Sequence, residues 1–126
     1  MSYKVFISSA KMDIDVARDL ARRLKDAGVK VFPIKTAESP VASVTRSLRE
    51  ADEVIVILTG NSVNNWWVLY EMGAASALHK RVTPIVVNVQ DSEIPPFAKS
   101  HVRFAQLPSY IAELAKRAGE LKAQPA

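Results

Sequence analysis

Apolar residues in this chain fall into two alternating patterns: short continuous blocks, and longer stretches in which they recur every three or four positions. Residues 3–7 (YKVFI), 29–32 (VKVF), 54–58 (VIVIL), 82–89 (VTPIVVNV) and 102–105 (VRFA) are β-branched or aromatic blocks and predict five strands. Between the first two, Ile14, Ala17, Leu20, Leu24 and Ala27 mark one face of a helix. Asp13 and Asp15 suit the N-terminal end of its dipole, and Gly28 stands where a left-handed C-terminal residue belongs. Val41, Val44, Leu48 and Ala51 mark a second helix, with Ser39 and Pro40 as its cap and first residue. Residues 61–80 predict a third helix that ends near His79, Lys80 and Arg81. A fourth begins at Pro108 and turns Tyr110 (or Ile111), Leu114, Ala118 and Leu121 inward. Pro84 falls early enough to sit at a strand start or on an unpaired side, and residues 91–100, with Pro95 and Pro96, read as a loop with one helical turn at most.

Strands that alternate with helices imply a parallel sheet covered on both faces through right-handed crossovers. Five of them favour an α/β, flavodoxin-like three-layer sandwich with strand order 2-1-3-4-5, in which ligands bind beyond the C-terminal ends of strands 1 and 3, where the order reverses. The loops meeting there start at Ser8 and Thr59, and the loop from Pro33 adjoins them.

A length of 126 residues supports one core, so residues 1–121 are expected to form a single domain and 122–126 a frayed tail. No apolar run approaches the ~20 residues of a membrane span. The first strand begins at once, without a secretory leader, and the expectation is a cytoplasmic protein with no membrane partner. Cysteine is absent and the two histidines stand far apart, at positions 79 and 101, which argues against a metal site. The net charge of +4 is scattered, and the cluster Arg22, Arg23, Lys25 fits a solvated helix face. This argues against a nucleic-acid partner and suits a small anionic ligand such as a nucleotide.

No GxGxxG, P-loop or GxSxG motif is present, and the acidic cluster of a phospho-acceptor domain is missing from the ends of strands 1 and 3. What stands out lies in residues 61–80: Trp66 and Trp67, then Glu71 in apolar surroundings. Trp67 and Glu71 are four apart and share one helical face. A lone carboxylate beside an indole at a switch point can stabilise the oxocarbenium ion formed when a glycosidic bond breaks. Ser8 and Ser9 can hold phosphate or ribose oxygens there. Apolar surroundings would raise the Glu71 pKa, and the nearby helix start would lower it. The plainer alternatives are a solvated or structural Glu71, a core Trp67, an exposed or interfacial Trp66, capping roles for Ser8 and Ser9, and solvated loop charges at Lys35 and Glu38.

Several segments together resemble a TIR (Toll/interleukin receptor) domain of the bacterial type. They are VFISS in strand 1, the spacing Asp13, Ala17, Leu20, the run from Leu24 to Phe32, SLREADEVIVILTGN, the stretch Asn65 to Ala75 (NWWVLYEMGAA) and PIVV in strand 4. The resemblance implies the flavodoxin-like fold and, as in many members, cleavage of NAD to nicotinamide and ADP-ribose or a cyclic form. NAD would be the substrate, and no cofactor is implied. The family's catalytic glutamate falls on Glu71 and its motif tryptophan on Trp67. Ser8, Ser9 and Ala10 after strand 1, and the loop 32–40 with Phe32 and Lys35, would flank the dinucleotide. Self-association, or pairing with other TIR domains, would control activity. Three positions depart from the family pattern: Asn65 replaces a common serine, residues 33–40 read PIKTAESP, and a late aromatic pair is reduced to Phe104 followed by Ala105. The alternative is a non-catalytic TIR adaptor in signal transduction, or a nucleotide-binding sensor.

Overall fold

The computed structural model describes residues 3–35, 39–98 and 100–123, the side chains of Phe97 and of residues 121–123 apart. Its strands are β1 (Lys4–Ser8), β2 (Lys30–Val31), β3 (Glu53–Leu58), β4 (Arg81–Val86) and β5 (Val102–Arg103). Its α-helices are α1 (Ile14–Asp26), α2 (Val41–Glu50), α3 (Trp66–Ala77) and α4 (Leu107–Ala123), with single 3-10 turns between some of them. All pairings are parallel and the sheet order is β2-β1-β3-β4-β5, the order expected from the alternation of patterns.

The central strand β3 is buried along its whole length, as VIVIL implies, and it starts one residue earlier than expected, at Glu53. Alternate residues of β1 and β3 feed two cores. Phe6, Val54, Val56 and Leu58 pack with Val44 and Leu48 of α2 and with Trp67, Val68 and Met72 of α3. Val5, Ile7, Ile55 and Ile57 pack with Ala17, Leu20 and Leu24 of α1 and with Tyr110, Leu114 and Ala118 of α4. The result is three layers, with α2 and α3 on one face and α1 and α4 on the other.

The boundaries differ from expectation where local chemistry intervenes. The third helix starts at Trp66 rather than near residue 61, because residues 61–64 turn and Asn65 becomes the cap. β4 stops at Val86 instead of residue 89; Asn88 adopts a left-handed φ of 54° that no strand can contain. Pro84 is tolerated in β4 because β5 reaches only Ile85 and Val86, which leaves that edge unpaired alongside residues 81–84. β5 gives way to a 3-10 turn at Phe104. The cap of α2 is Pro40, one position later than expected, and Val41 on its expected apolar side is 61% exposed. Leu78, the C-terminal cap of α3, is also exposed. Helix α1 closes as its sequence predicts: Gly28 takes φ 87°, and the amides of Val29 and Gly28 donate to Leu24 and Lys25 at 2.9 and 3.0 Å. The expectations for Glu38, for the inward Leu121 side chain and for the end of the tail at 124–126 lie outside the described residues.

Candidate functional site

β1 ends at Ser8 and β3 at Leu58, and the chain leaves both strands on the same side of the sheet, at the reversal of strand order. A set of buried polar side chains stitches the two exits together. Asp13, 5% exposed, accepts from the Thr59 hydroxyl at 2.7 Å and from the Asn61 amide side chain at 3.0 Å. The Ser62 hydroxyl accepts from the Thr59 amide at 2.7 Å and donates to the Ile57 carbonyl at 3.0 Å. Asn65 then caps α3, its Oδ1 accepting from the amides of Trp67 and Val68 at 3.0 and 3.2 Å. Asparagine and serine cap helices about equally well, so the departure at this position preserves the local structure.

Starting α3 at Trp66 fixes the register of the whole helix. Trp67, Val68, Glu71, Met72 and Ala75 turn inward, and Trp66 and Tyr70 turn outward. Glu71 is 1% exposed. Its Oε1 accepts a hydrogen bond of 2.6 Å from the hydroxyl of Ser8, 63 residues earlier, and its Oε2 has no partner in the protein. Burial pushes the Glu71 carboxyl up to about 8, against a smaller lowering by the Ser8 hydrogen bond. Of the two opposing influences legible in the sequence, desolvation dominates, since Glu71 lies beyond the first turn, where the dipole acts. The indole N–H of Trp67 is likewise buried without a partner.

Between the β1 exit and the start of α3 lies a crevice of about 70 Å³ lined by Ser9, Ala10, Lys11, Ile14, Asn65, Trp66 and Trp67. The structure therefore brings together five of the seven expected site residues: Ser8 with Glu71 by hydrogen bond, and Ser9, Ala10 and Trp67 around the crevice. The other two, Phe32 and Lys35, do not line that crevice. Phe32 is buried in the core cluster that also holds Ala10 and Trp67, with the Lys4 ammonium 4.1 Å above its ring. Lys35 donates to the Ser43 hydroxyl at 2.9 Å and so ties its loop to α2. The sequence marks Asp13 as a dipole charge and as part of the family spacing, but not as the link between the two strand exits, because its partners are 46 and 48 residues away and give no local signal.

A larger apolar groove of about 450 Å³ runs between α3 and β4, from Leu69 and Met72 to Val82 and Pro84, away from these residues. Among the described residues, no helix is long and apolar enough to cross a membrane.

The order 2-1-3-4-5 with a buried carboxyl at the switch point defines a flavodoxin-like α/β domain whose polar centre sits between the β1 and β3 exits. The chain belongs to the TIR domain family, whose sequence profile matches residues 5–118. A protein of Bacteroides thetaiotaomicron named 2′ cyclic ADP-D-ribose synthase BtTIR is 32% identical over 107 residues, covering 78% of this chain. The chain spans only 37% of that relative's length. The TIR domain of the Toll-related receptor TRR-2 from Hydra magnipapillata superposes with a TM-score of 0.72 at 20% identity, over 94% of this chain and 99% of that one. The CMP N-glycosidase BcmB of Clostridium botulinum superposes with a TM-score of 0.60 at 19% identity, over 88% of this chain and 97% of that one. At such identities these two structures speak for the fold alone.

Proposed function

We propose that this TIR domain is an NAD glycohydrolase that cleaves the bond between nicotinamide and ribose, with Glu71 as the catalytic carboxylate. The observation that carries this reading is the buried Glu71, held by Ser8 at the switch point with one carboxyl oxygen unengaged. Support comes from the family, in which the motif glutamate falls on this position, and from a relative whose name describes a cyclic ADP-ribose synthase.

In the proposed reaction the C1′–N1 bond of NAD breaks and its electron pair leaves with nicotinamide, which becomes neutral. Positive charge develops on the ribosyl carbon and ring oxygen, beside the Glu71 carboxylate. In a site from which water is excluded, that carboxylate stabilises the cation more than it would in solvent. Water then adds to C1′ and releases one proton, giving ADP-ribose; capture by a hydroxyl of the same ADP-ribose gives a cyclic product. Ser8 orients the carboxylate, Trp67 walls the reacting ring off from solvent, and Ser9 and Ala10 face the ribose and phosphates. Phe32 and Lys35 act by shaping the loop after β2 rather than from the crevice itself. The substrate is NAD, and no cofactor or metal takes part.

The Glu71 carboxyl is buried, so the site has to open before NAD reaches it. Self-association with a second TIR domain, in the cytoplasm, is the proposed trigger, and it makes specific activity rise with protein concentration. The same burial favours a second reading, in which Glu71 only holds α3 to β1 and the domain is a signalling adaptor. Nicotinamide release by concentrated protein separates the two. The enzyme reading expects release from the wild type and a loss of at least about a hundredfold in Glu71→Gln, an isostere without the charge. Equal release from both proteins, or none from either, returns Glu71 to a structural role.

A further inference from the structure

Trp66 is the anomaly that the proposed reaction does not absorb. It is 67% exposed, an unusual position for the side chain with the most apolar surface to hide. It packs perpendicular to the buried Trp67, centroids 5.8 Å apart, which leaves most of its own ring open. It is one wall of the 70 Å³ crevice; Ala10, 2% exposed, and Trp67, 5% exposed, form the buried part. The unpartnered N–H belongs to the Trp67 that lines the same crevice. An open indole and a buried donor lacking an acceptor are what a nucleotide can use: a face to stack on and a partner for a sugar or phosphate oxygen.

Helical geometry separates this place from the reacting centre. Trp66 precedes Glu71 by five residues, about 7.5 Å along the axis, and points to a different side of α3. A group held against Trp66 is therefore not the nicotinamide beside Glu71. We infer that Trp66 is a specificity-determining residue that stacks on the adenine ring of the dinucleotide. The inference rests on the proposed NAD cleavage for the identity of the substrate. It adds that this chain recognises the adenylate half, and that a substrate lacking it loses the benefit of the crevice.

The test compares NAD with nicotinamide mononucleotide, which has the same scissile bond and no adenylate. Replacing Trp66 by Ala is expected to lower the ratio of kcat/KM for NAD to that for the mononucleotide at least about fivefold, through KM, while Trp66→Phe keeps most of it. An unaltered ratio overturns the inference, as does an effect of Trp66→Ala on association between copies of the chain alone. A second arm is independent of turnover: AMP is titrated against indole fluorescence in the wild type and in Trp66→Ala. Saturable quenching lost in the variant supports the subsite even if no nicotinamide is released from any substrate, in which case the proposed function falls and the nucleotide site stands. Absence of wild-type quenching by AMP sinks the subsite even if NAD is cleaved.

Discussion

If Glu71 carries the proposed cleavage, the Ser8–Glu71 pair lets one carboxyl report on both folding and chemistry. A carboxyl raised from 4.5 to about 8 takes up a proton when the chain folds at neutral pH. The stability of the protonated form is fully present below the unfolded value and is lost as pH rises through the folded one. Glu71→Gln removes this titration. The wild type should therefore match the variant near pH 5 and fall below it by on the order of 3 kcal/mol at pH 9, read as urea midpoints at the two pH values. Activity should run the opposite way, because only the ionised carboxylate stabilises a ribosyl cation. The expected kcat/KM for NAD climbs with pH through about 8 with a slope of one. Ser8 holds that value down, so Ser8→Ala should move the midpoint of the same profile to higher pH, with less activity at pH 7. A profile that stays in place after Ser8→Ala would disconnect the hydroxyl from the carboxyl.

At the scale of elements, α3 shows where a sequence is legible and where it is not. The face carrying Trp67 and Glu71 could be read from a four-residue spacing, because helical periodicity is a local property. Its start is less visible. Asn65 is a strong cap, but the polar run before it offers several candidates, and only the pairing of Ser62 with the Thr59 turn decides among them. The other end closes with the amides of His79 and Lys80 donating to Ser76 and Ala75, each at 3.0 Å, and with His79 at φ 58°. Helix α1 closes the same way on Gly28, where the residue type announced the turn; a histidine announces nothing. His79 bears the backbone cost that glycine avoids, so His79→Gly should raise stability by about 1 kcal/mol in chemical denaturation. Asn65→Ala should lower it by about 1 kcal/mol, and Asn65→Ser by no more than a few tenths, since the hydroxyl replaces the lost acceptor. Strand order followed from the alternation of patterns alone, whereas strand ends did not: VVNV looks extended until Asn88 turns left-handed.

Across the whole molecule, a buried glutamate sits at each end of the sheet, and the two glutamates differ in every respect that matters. Glu71 sits by the strand exits with a single bond. Glu53, fully buried at the start of β3, accepts from Tyr3 at 2.6 Å, Thr83 at 3.1 Å, Tyr110 and Arg117, with the guanidinium 2.8 Å away. Tyr110 and Arg117 are seven apart, two turns on one face of α4, so this cluster fastens α4 to the sheet. Its members come from the residue before β1, from β3, from β4 and from α4, too far apart in sequence for any spacing rule to connect them. A carboxylate with four donors has its oxygens committed to the fold; one with a single hydroxyl and an unengaged oxygen has chemistry left to offer. Glu53→Ala should cost about 3–5 kcal/mol of unfolding free energy, eased only where water reaches the 26% exposed Arg117, and Arg117→Met should cost no less, because it leaves the fully buried Glu53 without its counter-charge. The two clusters share no residue and act at opposite ends of the strands, so their effects should add. Glu53→Ala combined with Glu71→Gln is therefore expected to unfold at the urea midpoint given by summing the single changes. The pH midpoint of NAD cleavage in Glu53→Ala, measured where that variant is fully folded, should coincide with the wild type's. A displaced midpoint would mean that seating α4 reaches across the sheet to the Ser8–Glu71 pair, making the Glu53 cluster part of the site's control rather than a fastening.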